Sequence, residues 1–440
     1  MTFTPIDDIR IDPTRAKIYE EGWQSWSPTT WYGANETSHR PDLDWQQILR
    51  FRPGTPQPLR GFQAEGLLVV DPGTGEPARV YGANDARESV PSIRAVLTGD
   101  RLAITTDGDV ARELAPRGRQ AGLAAFAERF AADAGVVSLR PAPTVWCSWY
   151  RYFLDVTEND IEENLAGIDR HELPVDVVQI DDGWQAGIGD WTQLSGRFSS
   201  LSRLVAKIRA TGRRAGIWVA PFTVGTHSDL ARTHPDWLVG DAGHNWDQDL
   251  RGLDLTHPGA RDYLWSAFRG LRDAGFDYFK LDFLYSGALP GPRHRDISEV
   301  AAYQSGLRLI RDAVGPESYL LGCGAPILAS VGLVDAQRVS PDTFHADSQD
   351  GARGLRGAMS LTARAWQHGR FWVNDPDCLV ARPSFALREE WSTVIEQFGG
   401  LRSASDRISD LDSWGLDTTR RLLSTAPPPT PFPGLPTRSN

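Results

Sequence analysis

From about residue 141 the hydrophobic positions fall into two alternating textures. Short, continuous apolar runs occur at 144–149, 175–182, 214–222, 276–285, 318–326, 336–341 and 369–377, with a weaker eighth at 401–406. Strands buried on both faces of a parallel sheet read this way, because neither face alternates with solvent. Between the runs, apolar residues recur every three or four positions, as helices packed by one face require. Ile161, Leu165 and Ile168 follow a capping-box-like start at Thr157 and Asp160. Leu201, Leu204, Val205 and Ile208 form a second stripe, with Gly212 placed to end the helix. Leu264, Phe268 and Leu271 form a third, and Val300, Tyr303, Leu307, Ile310 and Val314 a fourth. Eight strand–helix units in about 280 residues predict a (β/α)8 TIM barrel. An open doubly wound sheet would require a glycine-rich loop after its first strand. That position holds Ser148-Trp149-Tyr150-Arg151 instead.

Residues 1–140 have a different texture. Short apolar runs such as GFQAEGLLVV are punctuated by turn residues such as Asp71-Pro72-Gly73. This predicts antiparallel strands in a smaller β-sandwich-like N-terminal domain. The catalytic barrel is expected over 141–425. The tail 426–440 carries six prolines in fifteen residues and is expected to be extended or disordered.

Composition narrows the function classes. Of 440 residues, 46 are Lys or Arg and 57 Asp or Glu, a net charge of −11, with no concentrated basic run for a phosphate backbone. No apolar stretch is long enough to span a membrane, and the N-terminus shows no signal peptide pattern. The three cysteines, Cys147, Cys323 and Cys378, are widely spaced and suggest neither a disulfide framework nor a zinc site. A cytoplasmic enzyme with no nucleic-acid or membrane partner is the expectation. The 16 tryptophans are an excess that either core packing or stacking on sugar faces would use.

In a TIM barrel the chemistry stands at the C-terminal ends of the strands. Those ends carry Asp181, Asp182 and Trp184, then Trp218, then Lys280 and Asp282, then Cys323, then Arg338 and Asp342, then Asp375 and Asp377. Lys280 and Asp282, two apart, share one strand face. A carboxylate held ionised by an ammonium is a competent nucleophile, and a buried structural ion pair is the alternative. Asp342, after Pro341, is the natural second carboxylate of a double-displacement pair, with a helix N-cap as its alternative. Asp181 and Asp182 either cap a turn or grip sugar hydroxyls. Cys323 by itself reads as a small buried side chain, and Asp375 and Asp377 around Pro376 as a turn. A metal centre on Asp282, Asp342 and Asp375 is a further reading, as is a non-catalytic sugar-binding protein.

The ordered motifs WCSWY, QIDDGW, GIWVAPF, FKLDF, GCGAP, RVSPDT and WVNDPDC span about residues 141–412, and EGWQSWSP stands at 21–28. Together they resemble glycoside hydrolase family 36, the melibiase-type α-galactosidases, and most closely its shorter bacterial and archaeal members. The resemblance implies a retaining α-galactosidase with Asp282 as nucleophile and Asp342 as acid/base. It implies Asp181 and Asp182 as holders of the 4- and 6-hydroxyls, Lys280 and Arg338 as cations of the site, and Cys323 near the 2-hydroxyl. Trp149, Tyr150 and Trp218 would wall the pocket, and Trp26 would be lent to it by the N-terminal domain. No cofactor and no metal are implied. The partner is an α-galactoside, and homo-oligomers are common among family members. An α-N-acetylgalactosaminidase or another retaining α-glycosidase is the neighbouring reading.

Overall fold

The computed structural model describes residues 2–38, 47–48, 52–56, 58–343 and 352–435, with side chains of 352–356 left aside. Two antiparallel sheets open the chain. One has the order β1 (Thr4–Arg10), β8 (Arg101–Thr106), β7 (Ser92–Thr98), β4 (Phe62–Glu65). The other runs β3 (Thr30–Gly33), β2 (Lys17–Glu20), β5 (Leu67–Asp71), β6 (Ala78–Ala83), β9 (Val110–Ala115). Strand β5 shows how they are placed. Leu68 and Val70 point into a core shared with Ile9, Phe62, Ile93 and Ile104 of the first sheet. Leu67 and Val69 point the other way, into a cluster with Phe126 and Phe130 of the helix Arg119–Asp133. The period of two sends alternate residues into two cores, so the second sheet is covered on both faces.

The barrel follows. Eight parallel strands are ordered β19 (Val373–Asp375), β18 (Ala336–Arg338), β17 (Tyr319–Gly322), β16 (Tyr278–Leu281), β12 (Arg214–Val219), β11 (Val177–Ile180), β10 (Thr144–Cys147), β20 (Arg402–Ala404). The ends of that order meet through hydrogen bonds. The amides of Gly400 and Leu401 donate to the Asn374 carbonyl, and the Leu379 amide donates to the Ser403 carbonyl. Each of the eight apolar runs contains one strand, the weak eighth included. The hydrogen-bonded ladders are only three to six residues long, shorter than the runs, because the last residues of each run turn out of the ladder to line the barrel mouth. Tyr278 and Tyr319, stacked with centroids 5.7 Å apart, pack with Val145, Val177 and Val373.

The helices form where the stripes predict them. The Thr157 side chain accepts from the Asp160 amide while Asp160 Oδ2 accepts from the Thr157 amide, a complete capping box. Gly212, at φ +82, follows the cap of the helix Leu201–Ala210 in a conformation that favours glycine. The insertion after β12 was not anticipated. It adds a small antiparallel sheet of β13 (Thr223–Gly225), β15 (Gln248–Leu253) and β14 (Leu238–Asn245) over the rim. The tail corrects a second expectation. Residues 426–435 run as irregular backbone with bends and a turn, and Phe432 within them is buried and stacks on His368 with centroids 4.1 Å apart. An aromatic side chain with a partner docks even in a proline-rich segment. Residues 436–440 lie outside the described residues. Among the described residues no helix is long and apolar enough to cross a membrane.

One buried acid outside the barrel makes stability pH-dependent. Glu65 accepts from Ser92 Oγ at 2.7 Å and from Gln63 Nε2 at 2.9 Å. Burial pushes its carboxyl up to about 7, against the pull of the Arg52 charge and these bonds. An unfolded Glu titrates near ~4.3. Between those values the folded chain keeps a proton that the unfolded chain releases, so this contribution to stability falls as pH rises. Compared with the parent, Glu65→Gln should therefore gain on the order of 2 kcal/mol between pH 5 and pH 8. Denaturant melts of both proteins at the two pH values check this, and equal differences at both would contradict it.

Candidate active site

The C-terminal ends of the barrel strands bring the acidic residues into two groups, each built around a cation. The first is centred on Lys280. The β16 segment FDYFKLDF is apolar apart from Asp277, Lys280 and Asp282, and alternation turns Lys280 and Asp282 to the same side. Lys280 Nζ lies 3.0 Å from Asp181 Oδ2 and 4.0 Å from Asp282 Oδ2. Burial opposes the ammonium, yet Asp181 and Asp282 outweigh it and raise its pKa well above the ordinary lysine value. Asp282 is further held by Trp218, whose Nε1 donates to Oδ2 at 3.0 Å, and by the Phe283 amide, which donates to Oδ1 at 2.9 Å. Asp181 also accepts from Gln179 Nε2 and from the Asp182 amide.

The second group is centred on Arg338, which is 2% exposed and spends its whole fork on carboxylates. Nη1 meets Asp342 Oδ1 at 2.9 Å, Nε meets Asp375 Oδ2 at 3.3 Å, and Nη2 meets Asp377 Oδ1 at 2.6 Å. Asp377 is further gripped by the Tyr150 hydroxyl and by the amide and hydroxyl of Thr343. Asp375 and Asp377 do form the expected turn, with the Asp377 amide donating to Asp375 Oδ1. Their side chains nevertheless belong to the site. Burial raises the Asp375 pKa, and the Arg338 charge opposes that. Asp375, named in the metal reading, is thus engaged by Arg338, and among the described residues no three His, Cys, Asp or Glu side chains form a metal cage.

Cys323 is buried immediately after β17. Burial pushes its thiol well above the ordinary value, and the charges it feels most are Asp282, Arg338, Lys280 and Asp342. The two candidate catalytic carboxylates belong to different groups. They differ in access: the Asp282 side chain is 10% exposed and that of Asp342 27%. The segment 344–351 after Asp342 lies outside the described residues, and with it the N-cap alternative.

The aromatic candidates separate. Trp218 touches Asp282 directly, and Tyr150 touches Asp377. Trp149 is half-buried and packs edge-on against Phe153 at 5.1 Å. Trp184 is core: it is 1% exposed and donates to the Trp218 carbonyl. Trp26 reaches the barrel from the N-terminal sheets, its ring 4.9 Å from Phe283 and 6.1 Å from Tyr285. Gly324, at φ +55, makes room for it, since a Cβ there would sit 3.0 Å from the Trp26 ring. The loop carrying Trp26 is stitched to the rim. The Ser25 amide donates to the Ala325 carbonyl, and Gln337 Nε2 donates to Ser25 Oγ.

Two features escaped the sequence reading. One is Trp246, at the tip of the β14–β15 hairpin, whose Nε1 donates to Asp182 Oδ2 at 2.8 Å. Gln185 Nε2 donates to the other oxygen at 2.6 Å. Burial still pushes Asp182 up to about 7, helped by Asp181 and Asp282 and opposed by these two bonds. The polar stretch GHNWDQD between the apolar ends of β14 and β15 was the available signal for that hairpin. The other feature is a buried pair of Glu21 and Arg364, both 0% exposed, joined at 2.8 Å across 343 residues of sequence.

The chain is similar to known proteins in sequence and in fold. Residues 132–303 match the Melibiase family model. The chain is 30% identical over 154 residues to the bifunctional α-galactosidase/sucrose kinase AgaSK of Mediterraneibacter gnavus, covering 32% of this chain and 16% of that protein. It is 27% identical over 194 residues to the α-galactosidase AgaA of Geobacillus stearothermophilus, 40% of this chain and 26% of that one. It is also 28% identical over 308 residues to the α-xylosidase XylQ of Lactiplantibacillus pentosus, 63% of this chain and 38% of that one. The matched segments thus span well under half of these curated relatives. Among solved structures, TtGalA, an α-galactosidase from Thermus thermophilus in complex with p-nitrophenyl α-D-galactopyranoside, superposes with a TM-score of 0.79 at 28% identity. The match covers 96% of this chain and 89% of that one.

Proposed function

Since the chain carries a melibiase domain of the glycoside hydrolase family 36 type, we propose that it is a retaining α-galactosidase acting by double displacement. In this reading an Asp282 oxygen attacks the anomeric carbon of a terminal α-galactoside. Asp342 protonates the departing glycosidic oxygen, leaving a β-linked galactosyl–Asp282 ester. Asp342 then takes a proton from water, which attacks the same carbon and releases α-galactose with Asp282 restored. Lys280, 4.0 Å from Asp282 Oδ2, and the Trp218 N–H, which donates to the same oxygen at 3.0 Å, hold the Asp282 carboxylate in place. Asp181 and Asp182 accept from the 4- and 6-hydroxyls, Cys323 stands near the 2-hydroxyl, and Arg338 holds the Asp342 side. Trp26, Trp149, Tyr150 and Trp218 wall the pocket. The division into 1–140, 141–425 and 426–440 belongs to the same proposal.

The observation that supports this reading most is that Asp282 and Asp342, from the ends of the fourth and sixth strands of one barrel, each stand beside a buried cation, Lys280 at 4.0 Å and Arg338 at 2.9 Å. A second reading, an α-xylosidase, is favoured by the long alignment with XylQ. A panel of p-nitrophenyl α- and β-glycosides separates them, with galactose, N-acetylgalactosamine, xylose and glucose as the sugars. The α-galactoside is expected to be cleaved fastest, with α-galactose the first product by NMR. A preference for the α-xyloside would move the reading to the second, and β-galactose as first product would refute retention.

A further inference from the structure

The hairpin over the rim has an unusual tip. Strands β14 and β15 pair as far as Asn245 and Gln248, leaving Trp246 and Asp247 as a two-residue turn. Both have positive φ, 51 and 54. Such turns ordinarily take Asn-Gly, because a bulky residue at positive φ is strained. Strain of this kind persists when surrounding contacts hold it, and the tryptophan supplies them. Its ring lies 4.7 Å from Phe283, the residue after Asp282, and 6.3 Å from Trp218. Its N–H reaches Asp182 Oδ2 at 2.8 Å. Asp182 is 2% exposed while Trp246 remains half-buried, so the tip stands between that carboxylate and solvent. Asn245 Oδ1 accepts from the Trp246 amide and steadies the turn from within.

We propose that Trp246 is a positioning residue of the sugar pocket: its indole N–H fixes the Asp182 carboxylate in the orientation that receives a substrate hydroxyl, and its ring shields that carboxylate from water. The proposal rests on the glycosidase reading for the identity of the sugar, but not for the contact itself. A carboxylate oxygen that already accepts one bond has a lone pair left for a hydroxyl donor, so the indole orients Asp182 without occupying it. The charged groups around Asp182 are Asp181 on its own strand end, Lys280 on β16 and Asp282 immediately after β16. On the hairpin, Asp241, Asp247, and the His244–Asp249 pair are exposed. They report to solvent, leaving the indole as the hairpin's polar contact with this carboxylate among the described bonds.

The test compares Trp246→Phe with the parent on whichever glycoside of the panel the parent cleaves fastest. Parent rates on that panel judge the glycosidase reading, and the ratio of variant to parent judges this one. The phenyl ring keeps the packing and deletes the donor. Loss of a bond to a charged acceptor should lower kcat/KM about tenfold, chiefly through KM. It should also move the acid limb of kcat/KM to higher pH, because a carboxylate that loses a donor is harder to ionise. Gln185→Met, which deletes the donor on the other oxygen, should move the limb the same way. A Trp246→Phe enzyme with the parent's KM and acid limb would overturn the proposal. So would a lowered melting temperature with both kinetic readouts unchanged, the pattern of a purely structural tryptophan.

Discussion

Replacing Asp282 with Ala is expected to lower kcat by about four orders of magnitude, and added azide is expected to restore turnover with β-galactosyl azide as product. The size follows from removing the group that forms the covalent bond. The stereochemistry follows from geometry. Azide enters the space left by the carboxylate and attacks from the face Asp282 uses, inverting the α-anomer once. Asp342→Ala should behave differently. Its loss should be large on substrates whose leaving group needs a proton and small on an aryl galactoside with an activated leaving group. Azide should then yield α-galactosyl azide, because Asp282 still forms the ester that azide displaces. NMR of the azide products reads both outcomes. An α-azide from Asp282→Ala would reverse the two roles, and full activity of that variant would remove the proposed nucleophile altogether.

In the proposed mechanism the two acids have separate roles. Each is paired with a different cation, Asp282 beside Lys280 and Asp342 against Arg338. Lys280 also serves Asp181, and Arg338 also serves Asp375 and Asp377. One cation thus offsets part of the repulsion in each group, although carboxylates outnumber cations in both, two to one around Lys280 and three to one around Arg338.

Replacing Arg364 with Met is expected to destabilise the folded chain by about 3–5 kcal/mol, the range for breaking a buried ion pair from one side. Arg364 donates to Glu21 Oε1, to the Thr29 hydroxyl, and to the carbonyls of Gln24, Ser25 and Val339. Glu21 in turn accepts from Tyr19, Thr29, Gln367 and the Gly22 amide. Deleting the guanidinium leaves an uncompensated buried carboxylate and several orphaned carbonyls, and methionine supplies none of the missing donors. The carbonyls it holds immediately precede Trp26, and Val339 follows Arg338. The same substitution should therefore raise KM by loosening the pocket wall proposed for Trp26. Urea melts and steady-state kinetics on the surviving folded fraction check both parts, and a change below about 1 kcal/mol would show that the network is not a cohesive one.

These buried contacts mark where sequence reasoning stopped. The strand order of the barrel was legible because strands covered on both faces must be apolar throughout. The four helical stripes were legible because a helix resting on a sheet hides only one side. The identity of the acidic residues at the rim was legible from their places at strand ends, and their suggested roles came from the family resemblance. Which cation each carboxylate would choose was not legible. Arg338 stands four residues before Asp342, yet it also binds Asp375 and Asp377 from the next strand. Trp246 is not legible as a site residue because its significance depends on the hairpin tip reaching Asp182, and no local pattern records where a hairpin tip lands. Phe432 was missed because the proline content of the tail describes its backbone and says nothing of the ring it meets.

The division between the two levels has one physical origin. Local sequence determined what depends on neighbours along the chain: the period of burial, the caps, the turns, and hence a barrel of eight units behind an antiparallel sandwich. Tertiary structure decided what depends on neighbours in space: the two cation-centred carboxylate groups, the indole over Asp182, and the arginine that ties the Trp26 loop to the sixth barrel strand. Burial patterns repeat with the geometry of a single element and so can be read from one segment. Charge pairing is settled by whichever groups the closed barrel leaves together in a low-dielectric mouth, and that exists only once all eight strands are in place.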